Sequence, residues 1–174
     1  MIVSFSHEDP ASLSVDLLVL GVPANAAAAA VAVLDAPHAF RGALTSLVKE
    51  EDFTGKTGSM LHVPSLGNIR ARRLLMVGTG GNSPAELRIA AGAAASQGRL
   101  RGAKTMAFLL HNASPSAGAL RTLIESIAEG NYRFDKYKSE NSKKAPLESI
   151  QFVGISENPV AVEQALASIA GQSL

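Results

Sequence analysis

The chain has 174 residues, 47% of them apolar and 18% charged, with 16 Lys and Arg set against 15 Asp and Glu. That balance fits one soluble domain with a sizeable core and excludes a disordered tail or a strongly charged partner-seeking protein. Cysteine is absent, which excludes disulfides, thiolate metal sites and thiol nucleophiles and fits a cytoplasmic location.

The N-terminus, "MIVSFSHEDP", carries a histidine and acids where a secretory signal needs a basic segment followed by a long apolar one, so export by that route is not expected. "DLLVLGV", residues 16–22, reads as a strand that is apolar on both faces. The alanine tract that follows has high helix propensity from Asn25 to Ala36 and too little bulk or length to span a hydrocarbon core about 30 Å thick. A helix packed closely on the sheet is expected there, and no membrane partner. Phe40, Ala43, Leu44, Leu47 and Val48 then repeat at helical spacing. In "GKTGSMLHVPSLGNIRARRLLMV", two β-rich runs flank a Gly-Asn turn, which predicts an antiparallel hairpin and therefore a mixed sheet.

Three later segments share one plan: a strand, a short loop, Ser-Pro or Asn-Pro, an amphipathic run and a glycine. They are "LLMVGTGGNSPAELRIAAGAAASQG", "MAFLLHNASPSAGALRTLIESIAEG" and "IQFVGISENPVAVEQALASIAG". Ser83, Ser114 and Asn158 are the expected helix caps, with Pro84, Pro115 and Pro159 at the first helical position and Gly98, Gly130 and Gly171 as terminators. Leu120, Leu123, Ile124, Ile127 and Ala128 share one helical face, as do Val162, Ala165, Leu166, Ile169 and Ala170. Strands that are apolar on both faces are covered on both faces. The expected fold is a three-layer α/β domain, a mixed sheet flanked by helices. Between Gly130 and Ser149, Tyr132, Phe134 and Tyr137 are expected to anchor the start of an otherwise solvated loop.

The turn "GTGGNS" invites comparison with the dinucleotide fingerprint Gly-x-Gly-x-x-Gly. Gly78 and Gly80 fit, but Ser83 stands where the third glycine belongs, and Ser83-Pro84-Ala85-Glu86 is a capping box that uses the amides an anion would need. A structural turn is the preferred reading. The four histidines are scattered, and Ser59 and Ser65 near His62 lack the strained elbow of a nucleophile. Arg70, Arg72, Arg73, Arg88, Arg99, Arg101 and Lys104 are opposed in their region only by Glu86. Gathered on one edge, they form a basic patch able to bind phosphates. No aromatics are interleaved with them, so nucleic acid is disfavoured and a solvated rim or subunit contact is preferred.

"DLLVLGV", "LTSLVKEEDFTGKTGSMLHVP", "RRLLMVGTG" with its capped helix, and "EGNYRFDKYKSE" together resemble the N-terminal domain of the leucyl (cytosol) aminopeptidase family, peptidase family M17, from Ile2 to about Gly154. The resemblance implies a mixed α/β sheet flanked by helices and related to the macro domain. It also implies that residues 1–174 are one domain, with about 155–174 resembling the start of a linker helix to a catalytic domain. The family removes N-terminal amino acids from peptides by means of two divalent metal ions, zinc or manganese, held in that C-terminal catalytic domain. Its signature Asn-Thr-Asp-Ala-Glu-Gly-Arg does not occur in these residues, so the resemblance carries over no catalytic, metal or cofactor residue. The role implied is structural, oligomer-shaping or access-controlling, with the catalytic domain as partner and a monomer or weak dimer for the isolated chain. Kinship with macro domains supplies an alternative, a stand-alone domain binding ADP-ribose or a related nucleotide through Asn25, Gly78, Gly80 and Gly81. The triple-glycine loop expected of such a site is missing.

Overall fold

In the computed structural model, which describes residues 1–111, 114–132 and 145–172, the fold is one six-stranded sheet covered by helices on both faces. The strands are β1 (Ile2–Ser6), β2 (Leu17–Pro23), β3 (Met60–Pro64), β4 (Arg73–Gly80), β5 (Thr105–Leu110) and β6 (Ser149–Val153). Their order across the sheet is β1-β6-β5-β2-β4-β3. All neighbours are parallel except β3 and β4, so the sheet is mixed, as the sequence predicts.

Alternation sorts the strand side chains into two cores. Leu17, Val19, Leu75, Val77, Met106, Phe108, Ile150 and Phe152 face α3 (Pro84–Leu100), α4 (Ala117–Asn131) and α5 (Pro159–Gln172). Leu18, Leu20, Val22, Leu74, Met76 and Ala107 face the opposite way, toward α1 (Ala27–Val31) and α2 (Ala43–Glu50). Strands read as apolar on both faces are thus sandwiched between helical layers.

Helix ends depart from the sequence plan in instructive ways. Ser83 and Asn158 cap α3 and α5, accepting from the amides of Glu86 and Ala161. For α4 the cap is Ser116, not Ser114, and it accepts from Ala119 N at 3.2 Å; Pro115 therefore precedes the helix. Gly98 does not stop α3. The chain turns four residues later at Gly102, φ +74°, where Ala103 N donates to Gly98 O and Gly102 N to Arg99 O, a Schellman motif that needs a left-handed residue. Gly130 and Gly171 also lie inside their helices. Gly130 has a packing reason: a Cβ there would sit 2.5 Å from the carbonyl oxygen of Gly92, so α3 and α4 meet backbone to backbone, flanked by Ala91 and Ala95.

The alanine tract is helical only over Ala27–Val31. Beyond it Asp35 turns its carboxylate onto the start of α2, accepting from the amides of Gly42, Leu44 and Thr45 and from the Thr45 hydroxyl. Partial burial raises the Asp35 pKa, but these hydrogen bonds hold it below its usual value. Satisfying four donors at the next helix outweighs a few residues of propensity. The hairpin turn centres on Leu66 and Gly67, both at positive φ, rather than on Gly-Asn. Tyr132 is 70% exposed rather than buried in an anchoring cluster; Phe134 and Tyr137 lie outside the described residues.

The contact at Gly130 yields a paired expectation. Gly130→Ala, forced against a backbone oxygen, lowers stability by about 1–3 kcal/mol in chemical denaturation. Gly171→Ala, which meets nothing within 4 Å, loses none. Equal midpoints for the two variants would refute this account of α3–α4 packing.

Candidate functional site

The β4–α3 turn lies at the C-terminal ends of the parallel strands, where open α/β sheets place their ligands. Here the chain itself fills the space. Residues 54–59 cross the end of β4 as a strap: Asn25 N donates to Thr54 O, Gly80 N to Gly55 O, and Gly78 N to Ser59 O. A Cβ at Gly78 would lie 1.9 Å from Lys56 O, and one at Gly80 would lie 2.2 Å from the Thr57 hydroxyl. Both glycines admit this strap. Gly80 has a second reason in its φ of +56°.

The helix N-terminus is occupied in the same way. Glu86 reaches back so that its carboxylate accepts from Gly81 N at 3.0 Å, Ser83 N at 2.9 Å and the Thr57 hydroxyl at 3.2 Å. An anion does sit at this helix end, and it is a side chain of the helix. The Ser83 amide, then the Ser83 hydroxyl and the Gly81 amide, with a smaller part from Thr57, depress the Glu86 pKa to about 2. Below the turn, Thr79 Oγ1 and Asn82 Oδ1 are buried without a hydrogen-bond partner among the described residues.

Asn25 is exposed, with φ +62°, a left-handed conformation that Asn tolerates better than most residues. Its amide is tied to the strap, which accounts for it without a ligand. The geometry joins Asn25 to Gly80 through the strap and the Ala24 N–Gly80 O bond rather than across an open cleft.

The arginines divide. Arg72, Arg73 and Arg101 line one concavity of about 410 Å³ with Asp16, Leu17, Pro64, Leu66, Gly98, Gly102 and Ala103. It lies at the opposite end of the sheet, beside the N-terminal ends of β2 and β4. Arg99 faces elsewhere, its guanidinium donating to Asn131 O, and Arg70 is exposed outside the concavity. Asp16 accepts from the amides of Lys104 and Thr105 and lies 3.9 Å from Arg72. Its burial raises its pKa, but those bonds and the Arg72 charge bring it below the usual value. Charge periodicity alone could not separate Arg99 from Arg101, because only the course of the chain beyond Leu100 decides which of them reaches the rim.

Ser59, Ser65 and His62 do not form a catalytic set. Ser59 donates to Lys56 O, Ser65 to Arg72 O at 2.8 Å, and His62 Nε2 pairs with Gln97 Oε1 at 3.1 Å. Among the described residues no three His, Asp or Glu side chains are grouped to hold a metal ion, and no helix is long and apolar enough to cross a membrane.

A mixed six-stranded sheet, helical on both faces and closed over its strand-to-helix turn by its own strap, defines the class: an α/β domain of the doubly covered kind. Residues 19–141 match the N-terminal domain of the cytosol aminopeptidase family, and the chain belongs to that family. Curated relatives include a probable cytosol aminopeptidase of Geotalea uraniireducens (strain Rf4), 36% identical over 66% of this chain, and one of Pseudomonas aeruginosa (strain UCBPP-PA14), 33% identical over 85%. The chain spans 24% and 31% of their respective lengths. Among solved structures, a tomato leucine aminopeptidase mutant shares the fold with a TM-score of 0.79 and 23% identity, covering 98% of this chain and 36% of that one. The bottromycin maturation enzyme BotP in complex with Mn superposes with a TM-score of 0.60 and 25% identity over 90% of this chain and 30% of that one.

The internal carboxylate at α3 sets a pH dependence. Because Glu86 in the fold titrates near 2 rather than at its ordinary 4.5, its contribution to stability is fully present above about pH 4.5 and is lost as the pH falls toward about 2. Glu86→Ala is therefore less stable than the parent at pH 7, and the difference closes as the pH approaches 2. Carbon NMR of the Glu86 carboxyl reads the midpoint directly; a value near 4.5 would contradict the geometry.

Proposed function

We propose that this chain is the non-catalytic N-terminal domain of an aminopeptidase-type metallopeptidase. It serves as a structural unit that shapes assembly and access to active sites carried by a separate catalytic domain. The observation that supports this reading best is the family match itself: it falls on the N-terminal domain, and the relatives extend to three or four times the length aligned here. Two-metal hydrolysis needs converging carboxylate or imidazole ligands and an open coordination position. The reading assigns that duty, and the zinc or manganese that goes with it, to the catalytic domain, and treats residues 1–174 as one domain.

The nucleotide-binding alternative through Asn25, Gly78, Gly80 and Gly81 is disfavoured by the strap. A diphosphate would have to displace Lys56–Ser59 and the Glu86 carboxylate together, breaking the hydrogen bonds each makes.

Assayed with leucine p-nitroanilide and added zinc or manganese, the chain shows no turnover above the metal-only blank; activity that persists through repurification would defeat the proposal. In calorimetric titration ADP-ribose gives no saturable heat, whereas a micromolar dissociation constant abolished by Asn25→Asp would favour the alternative. Sedimentation over a tenfold concentration range gives a monomer or weak dimer, against which a stable hexamer would count.

A further inference from the structure

The concavity at the C-terminal end of α3 is not used by the strap or the capping box, and its floor is the edge of the core that packs under α3, at Leu17 and Ala103. Three arginines reach it from two places in the chain: Arg72 and Arg73 from the entry to β4, and Arg101 from the residue that ends α3. Against them stands one acid, Asp16, so the lining carries two net positive charges. Asp16 cannot neutralise Arg73 or Arg101, because its carboxylate is held by the Lys104 and Thr105 amides and faces Arg72. The guanidinium of neither Arg73 nor Arg101 makes an ion pair or hydrogen bond with a described residue.

Capping of the helix does not account for them. The end of α3 bears a partial negative charge that a cation complements, but the Gly98 and Arg99 carbonyls are already taken by the Ala103 and Gly102 amides. Local structure does not account for Leu66 either. It stands at the hairpin tip with φ +50°, a conformation that suits Gly or Asn, and is 86% exposed on the rim of the same concavity. A leucine that is strained and solvated at once gains nothing for the fold. It does add an apolar wall to a floor made of Leu17, Pro64 and Ala103. The arginines also act on one shared space: burial first, then the Arg101 charge, with Arg73 adding to it and Gln97 opposing, lowers the pKa of nearby His62.

We infer that this concavity is a binding site for a small dianionic oxyanion carried on an apolar body, of the phosphate monoester type. Guanidinium forks pair with phosphate oxygens two at a time, while the exposed Pro64 and Leu66 cover the apolar part. A volume of about 410 Å³ lies within the range of small-ligand sites. The site is independent of the β4–α3 turn and of any peptidase chemistry.

The test is a nitrogen–proton NMR titration of the chain with phenyl phosphate, inorganic phosphate and duplex DNA. Phenyl phosphate is expected to saturate with a dissociation constant of roughly 1 mM or below, with shifts centred on Leu17, Leu66, Arg72, Arg73 and Arg101 to Ala103. Inorganic phosphate binds several-fold more weakly, since it leaves the apolar wall bare. The double variant Arg73→Ala/Arg101→Ala loses about tenfold or more in affinity, while Arg70→Ala keeps the parent value; thermal melts verify that both remain folded. Occupancy also raises the His62 pKa, because a dianion offsets the charges that depress it. Absence of saturation at about 10 mM, equal affinity in the double variant, equal binding of the two phosphates, or preference for duplex DNA would each overturn the inference.

Discussion

From Leu17 to Val22, strand β2 shows no side chain to water on either face, and the architecture is organised around that constraint. Leu17, Leu18, Val19, Leu20 and Val22 are at most 1% exposed. Each face of the strand must be roofed and each edge paired. Parallel partners β4 and β5 supply the edges, and parallel pairing forces a crossover, which α3 provides over one face. The short α1 and α2 cover the other. Burying five such side chains stabilises the fold by roughly 1.5–3 kcal/mol apiece relative to exposure, an upper figure because the unfolded chain is itself partly collapsed.

The turn that follows β4 gives its glycines and its helix end partners from within the chain. Backbone approach and a free helix end are the two things a phosphate needs there, and in this chain both are taken internally. The Lys56–Ser59 strap makes the approach, and Glu86 supplies the negative charge. Such a turn differs from a nucleotide cradle in one readable respect: an acid three residues after the cap, placed to return to it. Only the strap, whose Ser59 and Gly55 meet Gly78 and Gly80 from far back along the chain, had no local signature that tied it to the glycines.

Elements specified by local rules were legible in the sequence. Capping box, paired-face strands, the antiparallel hairpin and the buried face of α4 all follow from residues within a dozen positions of one another. What escaped depended on distant partners. Gly130 looked like a terminator because its reason, the Gly92 carbonyl, lies on another helix. The alanine tract looked like a longer helix because Asp35's preference for the amides of α2 becomes visible only when both are placed. In α5 Ala165 is buried and Val162 and Ile169 pack against the core as expected, but Ala161 joins them while Leu166 is left 38% exposed and Ala170 is exposed, a small rotation that the spacing could not fix. Strand β1 was too short and too polar on one side to be read with its partner, β6. At the candidate sites, residue types were legible and convergence was not.

The pairing of β1 with β6 has a kinetic corollary. Ile2 sits opposite Ser149, so β1 has no sheet partner until β6, the last of the described strands in chain order, has been made. Contacts of such sequence separation close the longest loop among the described strand pairs and form late, whereas β2, β4, α3 and β5 lie within about a hundred residues and can condense first. During synthesis the protein thus passes through a five-residue orphan strand tethered to a growing nucleus. Shortness and the alternating exposure of Ile2 and Ser4 with the half-buried Val3 and Phe5 make that strand a poor template for premature pairing with a neighbouring chain.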